Sequence, residues 1–138
     1  MPVVVDASVW IDYFAGRLTP QTQWLDEALG KEPLAVTDLG VGEVLRGLAS
    51  ESDQRKAREA LLRFTVYNAA GLDMVLKSAE HHRALHAQGE TAPGLAASLV
   101  AAFCLRWNLP LLHSDPAYEP YERHLGLKGS GAGELPGG

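Results

Sequence analysis

The sequence predicts an α/β domain, a three-layer α/β/α sandwich around a central, doubly wound parallel sheet. Three observations predict it. Short β-branched or aliphatic runs alternate with segments of helical periodicity. The strand-like runs are separated by helix-length stretches, as parallel crossovers require. The 138 residues, 46% hydrophobic and 21% charged, suit one core of ordinary globular composition.

The elements follow in order. Val3-Val4-Val5 reads as the first strand and Asp6 to Phe14 as a short helix. Pro20 to Leu29 is a second helix, with Trp24, Leu25, Ala28 and Leu29 on one face and Gly30 as its stop. Leu34 to Val36 is the second strand. Thr37 or Asp38 can cap the next helix, which carries Val41, Val44, Leu45 and Leu48. Ser52 or Asp53 opens a further helix, where Ala57, Ala60, Leu61 and Phe64 recur at helical spacing. Thr65 to Tyr67 is a short third strand, and Leu72 to Ala87 a long helix ended by Gly89. Pro93-Gly94 breaks the chain before a helix from Leu95 to Trp107. Leu109 to His113 is then a buried strand, and a last short helix runs from Tyr118 to His124. The stretch KGSGAGELPGG is Gly-rich and aperiodic, so the domain is placed at 1–127 and a flexible tail at 128–138.

Composition narrows the function. Cys104 has no partner for an internal disulfide and sits in an apolar run, as a buried reduced thiol does. The largely apolar run from Leu95 to Leu105 falls short of the roughly 20 residues a bilayer span needs. No basic segment precedes the apolar start, so the expected setting is cytoplasmic, with no membrane partner. A net charge of −5 argues against a protein that coats nucleic acid by charge alone. It leaves room for an enzyme that meets RNA through metal ions and local arginines.

Ligands of doubly wound sheets bind beyond the carboxyl ends of the strands. Asp6 directly follows the first strand and Asp115 follows the strand Leu109 to His113, so two carboxylates meet at one sheet edge if both strands are central. Glu43 lies among Val41, Val44 and Leu45, where a carboxylate is costly unless it is paired or binds a cation. Carboxylates brought together raise each other's pKa, and a divalent metal reverses this. Oxygen-only ligands suit Mg²⁺ or Mn²⁺, and the matching chemistry is phosphodiester hydrolysis. The competing reading of these acids is helix caps and surface pairs.

The opening VVVDASVWIDYF, the segment TDLGVGEVLRG and the segment LAASLVAAFCLRWNLPLLHSD together resemble, in order and spacing, the motifs of the PIN-domain family, and within it the VapC-like toxins. The resemblance spans roughly Val3 to Leu127. It implies a parallel sheet with helices on both faces, endoribonuclease cleavage of RNA dependent on Mg²⁺ or Mn²⁺, a small VapB-like antitoxin covering the active site, and a homodimer. By position, Asp6, Glu43 and Asp115 match the family's acids, and Ser8 matches the hydroxyl residue that supports the first Asp.

Two positions depart from that pattern. In the family it resembles, the helix before the last long strand usually begins with Asp, and here that position is Ala97, whose methyl group cannot ligate metal. Ser98 points about 100° away on a helix and is a poor substitute. Glu90 precedes the Pro93-Gly94 break and is not expected to reach. Ala117 stands where many relatives carry a further Asp. Ala97 is consistent with natural loss of activity or with deliberate replacement of an Asp, and either way weakens metal binding and catalysis.

Other residues have blander readings beside functional ones. His82 and His86, one helical turn apart and next to His81, suggest zinc, but no third ligand accompanies them and a solvated face is preferred. His113 reads as a satisfied strand-end residue or a neighbour of phosphate. Arg46 either pairs with Glu43 or contacts RNA. Arg55, Lys56, Arg58 and Arg63 read as a charged helix face, with RNA contact as the alternative. Asp12 and Asp38 are extra acids near the motifs, Asp38 as a cap. Trp10, Tyr13, Phe14 and Trp24 read as core, with a partly exposed groove for an antitoxin helix as the alternative. Two other functions stay open: a non-catalytic PIN-like module that holds RNA or protein, and an unrelated α/β phosphohydrolase or nucleotide-binding domain, against which the missing Gly-rich phosphate loop counts.

Overall fold

The computed structural model describes residues 1–129. Its elements are β1 (Val3–Val5), α1 (Ala7–Phe14), α2 (Pro20–Ala28), β2 (Leu34–Thr37), α3 (Asp38–Arg46), α4 (Glu51–Leu61), β3 (Thr65–Tyr67), α5 (Leu72–Ala87), α6 (Leu95–Trp107), β4 (Leu111–Leu112), a 3₁₀ turn (Pro116–Tyr118) and α7 (Glu119–Leu125). The strands form one parallel sheet in the order β3-β2-β1-β4. The chain steps outward from β1 to β2 to β3, then crosses back to place β4 on the far side of β1. Strand order therefore reverses between β1 and β4, and a crevice opens at their carboxyl ends. β4 is the edge of this sheet rather than a central strand, but its pairing with β1 is enough to bring Asp6 and Asp115 to the same end.

Alternation along the strands explains why all three valines of β1 are buried. Val3 and Val5 join Val36, Leu112, Trp10 and Trp24 in the core under α1 to α4. Val4 joins Leu111, Leu85, Val100 and Tyr121 in the core under α5 to α7. Helices thus cover both faces, which gives the three layers.

Several boundaries differ from expectation for identifiable reasons. α4 opens at Ser50, whose hydroxyl accepts from the Asp53 amide at 2.9 Å, rather than at Ser52 or Asp53. α3 is capped by Thr37, whose Oγ1 accepts from the Gly40 amide at 2.9 Å. A Cβ on Gly40 would lie 3.1 Å from that same Oγ1, so glycine lets the cap close. α3 ends at Arg46 with Gly47 as its cap, leaving Leu48 outside it. β4 is shorter than Leu109–His113 because the Leu109 amide is held by the Cys104 carbonyl at 2.8 Å and Pro110 has no donor. The expected last helix divides into the 3₁₀ turn and α7. Beyond the expected boundary at 127, the Lys128 carbonyl still accepts from the Leu111 amide at 3.0 Å. Residues 130–138 of the expected tail lie outside the described residues.

Candidate active site

Asp6 sits where β1 ends. Its amide donates to the Leu112 carbonyl at 2.9 Å, so the pairing with β4 runs up to this residue. It caps α1: Oδ2 accepts from the Ser8 amide at 3.0 Å and from Ser8 Oγ at 2.6 Å. Oδ1 accepts from the Tyr118 hydroxyl at 2.7 Å. The side chain is only 6% exposed. Ser8 Oγ in turn accepts from the Ser114 amide at 3.2 Å. One hydroxyl thereby joins the end of β1 to the loop that follows β4.

Asp115 lies in that loop, half-buried, and caps the 3₁₀ turn through the Ala117 amide at 2.9 Å. Its own amide donates to His113 Nδ1 at 3.2 Å, and His113 Nε2 lies 3.0 Å from Glu122 Oε2. With Nδ1 accepting, the ring proton belongs on Nε2, directed at Glu122. His113 is the satisfied strand-end residue rather than a free base.

Glu43 projects from α3, half-buried. Burial pushes its pKa above the usual carboxylate range, and the charges of Asp6 and Asp115 push it the same way, while Arg46 opposes them. Both strand-end aspartates are therefore within electrostatic reach of Glu43. Arg46 is exposed and acts on Glu43 by charge.

Ala97 occupies the first turn of α6. Because α6 leads straight into β4 through Asn108 to Pro110, it runs opposite to the strands, and its first turn lies at their carboxyl ends. α6 packs against both α3 and the 3₁₀ turn, the elements beside Glu43 and Asp115. The Ala97 methyl is half-buried against the second core. Ser98 cannot substitute for an acid there. Its hydroxyl donates to the Pro93 carbonyl at 3.3 Å and accepts from Tyr121 at 3.1 Å. Glu90 is engaged with Arg123 at 2.9 Å and His124 at 2.8 Å.

The donor chemistry fits a hard divalent cation: oxygen ligands, concentrated negative charge, and crowding at Glu43 that a cation relieves. The geometry is looser than that of a filled centre. Among the described residues, no three acidic, His or Cys side chains stand close enough together to hold an ion as they are.

A family model described as PIN domain matches residues 3–122. The chain belongs to the PIN domain family. Its fold is similar to VapBC2 from Rickettsia felis bound to a promoter DNA fragment (TM-score 0.72, 13% identity, 92% of this chain and 96% of that one). It is similar also to DNA-bound VapBC from Salmonella typhimurium (0.70, 14%, 92% and 95%) and to a toxin–antitoxin complex from Klebsiella pneumoniae (0.66, 19%, 86% and 89%). At these identities the likeness is one of fold.

An open cavity of about 590 Å³ adjoins the site of this PIN domain, lined by His113, Ser114, Asp115, Glu119, Glu122 and Arg123 among others. It touches the acidic set through Asp115 alone. Asp38 is not part of that set; its Oδ1 accepts from the Leu39 and Ala69 amides, tying β3's exit to α3. Asp12 pairs with Arg17 at 2.8 Å. His82 and His86 are exposed on α5, and His81 packs edge-on against Tyr121. Arg55, Lys56, Arg58 and Arg63 are all exposed. Trp10 and Trp24 are buried, while Tyr13 and Phe14 are half-buried beside Trp10. Cys104 is buried, and burial, with Asp6 nearby, holds its thiol protonated. No helix among the described residues is long and apolar enough to cross a membrane.

Two residues of this site were not singled out by sequence. Tyr118 read only as the start of a helix, and Glu122 carried no signal. The Tyr118–Asp6 bond joins positions 112 apart, beyond any local pattern.

Proposed function

We propose that this PIN domain is an endoribonuclease toxin of the VapC kind, dependent on Mg²⁺ or Mn²⁺ and impaired in this form by Ala97. The observation that carries the proposal is that the pairing of β1 with β4, buttoned by Ser8 Oγ between Asp6 and the Ser114 amide, brings Asp6 and the Asp115 loop to the sheet's switch point. Asp6, Glu43 and Asp115 would hold the cation, with Ser8 orienting Asp6. When bound, the cation supplies Lewis acidity to a phosphodiester and a hydroxide source at neutral pH. The chain's own part is to fix Asp6 between Ser8 and Tyr118, to set Asp115 on its capped turn, and to present Glu43 from α3 beside them. Exposed Arg46 is placed to meet the RNA backbone.

By analogy with the VapBC structures from Rickettsia felis and Salmonella typhimurium, a VapB-like antitoxin is the proposed regulator; a homodimer in the cytoplasm is the proposed working assembly. Residues 1–127 are the proposed functional unit. A non-catalytic module that holds RNA or protein is the second reading. It is favoured by Ala97 and by the protein donors on both Asp6 oxygens. Ala97→Asp assayed for RNA cleavage with Mn²⁺ separates the two. The nuclease reading expects cleavage to rise by orders of magnitude, and an unchanged rate supports the binding module.

A further inference from the structure

The Tyr118 ring is 2% exposed and packs on His113 with ring centroids 4.8 Å apart. Its hydroxyl donates to Asp6 Oδ1 at 2.7 Å. A phenol carries its proton at neutral pH and a carboxylate oxygen only accepts, so the hydroxyl is the donor in this bond. An ionised carboxylate offers about four lone-pair positions. On Asp6, the Ser8 amide and hydroxyl take both on Oδ2, and Tyr118 takes one on Oδ1. One position on Oδ1 is left.

We infer that Tyr118 is a positioning residue, whose hydroxyl stops the Asp6 carboxylate from turning and so fixes the remaining Oδ1 lone pair as its contact for a divalent cation. The inference rests on the proposal that Asp6 is a cation ligand. Partners that orient a ligating carboxylate commonly account for about 10–100-fold in metal affinity. Tyr118→Phe removes the hydroxyl and keeps the ring on His113.

The test is Mn²⁺ binding by titration calorimetry to Ala97→Asp and to Ala97→Asp combined with Tyr118→Phe, with the melting temperature of each recorded without metal. The expected result is binding about 10–100-fold weaker in the double variant. A purely structural hydroxyl would lower the metal-free melting temperature and leave affinity unchanged; that result, or tighter binding, overturns the inference. If Ala97→Asp binds no Mn²⁺, the cation reading falls and the inference with it. If it binds and the double variant matches it, only the role of Tyr118 falls. A second measurement needs no change at Tyr118: the ring Cζ resonance of Tyr118 followed by NMR as Mg²⁺ is added to Ala97→Asp. It should move in step with saturation while that of Tyr13, whose hydroxyl bonds Asp26, stays fixed; a stationary Tyr118 resonance contradicts the inference.

Discussion

Ser8→Ala tests the link that holds the two strand ends together. Ser8 Oγ donates to Asp6 Oδ2 at 2.6 Å and accepts from the Ser114 amide at 3.2 Å. The first is a short bond to a charged acceptor in a buried setting, a class that contributes about 1.5–3 kcal/mol. The second is long, and Ser114 is exposed, so water replaces it at little cost. The Ser8 amide still caps Asp6 after the change, which places the expected loss near 2 kcal/mol, toward the lower part of that range. For a domain of this size that is a fall of roughly 8 °C in melting temperature. Urea and thermal melts of wild type, Ser8→Ala, Asp6→Asn and the double variant form a cycle, in which a coupling of about 1–2 kcal/mol is expected. A loss below about 0.5 kcal/mol, or strict additivity of the two changes, would refute the Ser8–Asp6 bond as a stabilising contact at the end of β1.

Two further outcomes follow from the same geometry. Glu43 has a folded-state pKa above its ordinary 4.5, so folding favours its protonated form. Its ionisation therefore weakens the fold as pH rises from 4.5 through the raised value, and the deficit persists at neutral pH. Glu43→Gln should raise the melting temperature at neutral pH, with the gain fading in melts below 4.5; no gain at neutral pH would remove the crowding. Asn108 ends α6 in the left-handed region, with φ 54°. Asn108→Ala should cost about 1 kcal/mol in urea melts and Asn108→Gly much less, because alanine keeps the Cβ that the left-handed region disfavours but loses the polar side chain that offsets it, whereas glycine has no Cβ; equal losses would contradict this.

The fold was legible because its signals are local. Val3-Val4-Val5, Leu72 to Ala87 and Leu95 to Trp107 carry periodicity or composition that needs no partner to interpret, and their bounds agree with the structure. Ends set by competing caps were not: Ser50, Ser52 and Asp53 can all cap a helix, and only the fold shows that Ser50 Oγ takes the Asp53 amide. β4 was overextended because an apolar run does not show that its first amide already belongs to a helix carbonyl. At the candidate site, position relative to a strand end picked out Asp6 and Asp115, and the apolar neighbours of Glu43 marked its unusual setting. What sequence could not supply is hydrogen bonding across the chain. The cap reading and the ligand reading of Asp6 appeared as alternatives, whereas the side chain caps α1 and also borders the acidic set.

The most direct measurement is an Mn²⁺ titration of Ala97→Asp beside the same protein carrying Asp6→Asn, Glu43→Gln or Asp115→Asn, each first shown by circular dichroism to be folded. A shared cation centre predicts saturable binding of Mn²⁺ that weakens by at least about tenfold with each amide. Absence of saturable binding, or binding that survives both Asp6→Asn and Asp115→Asn, would contradict a common centre.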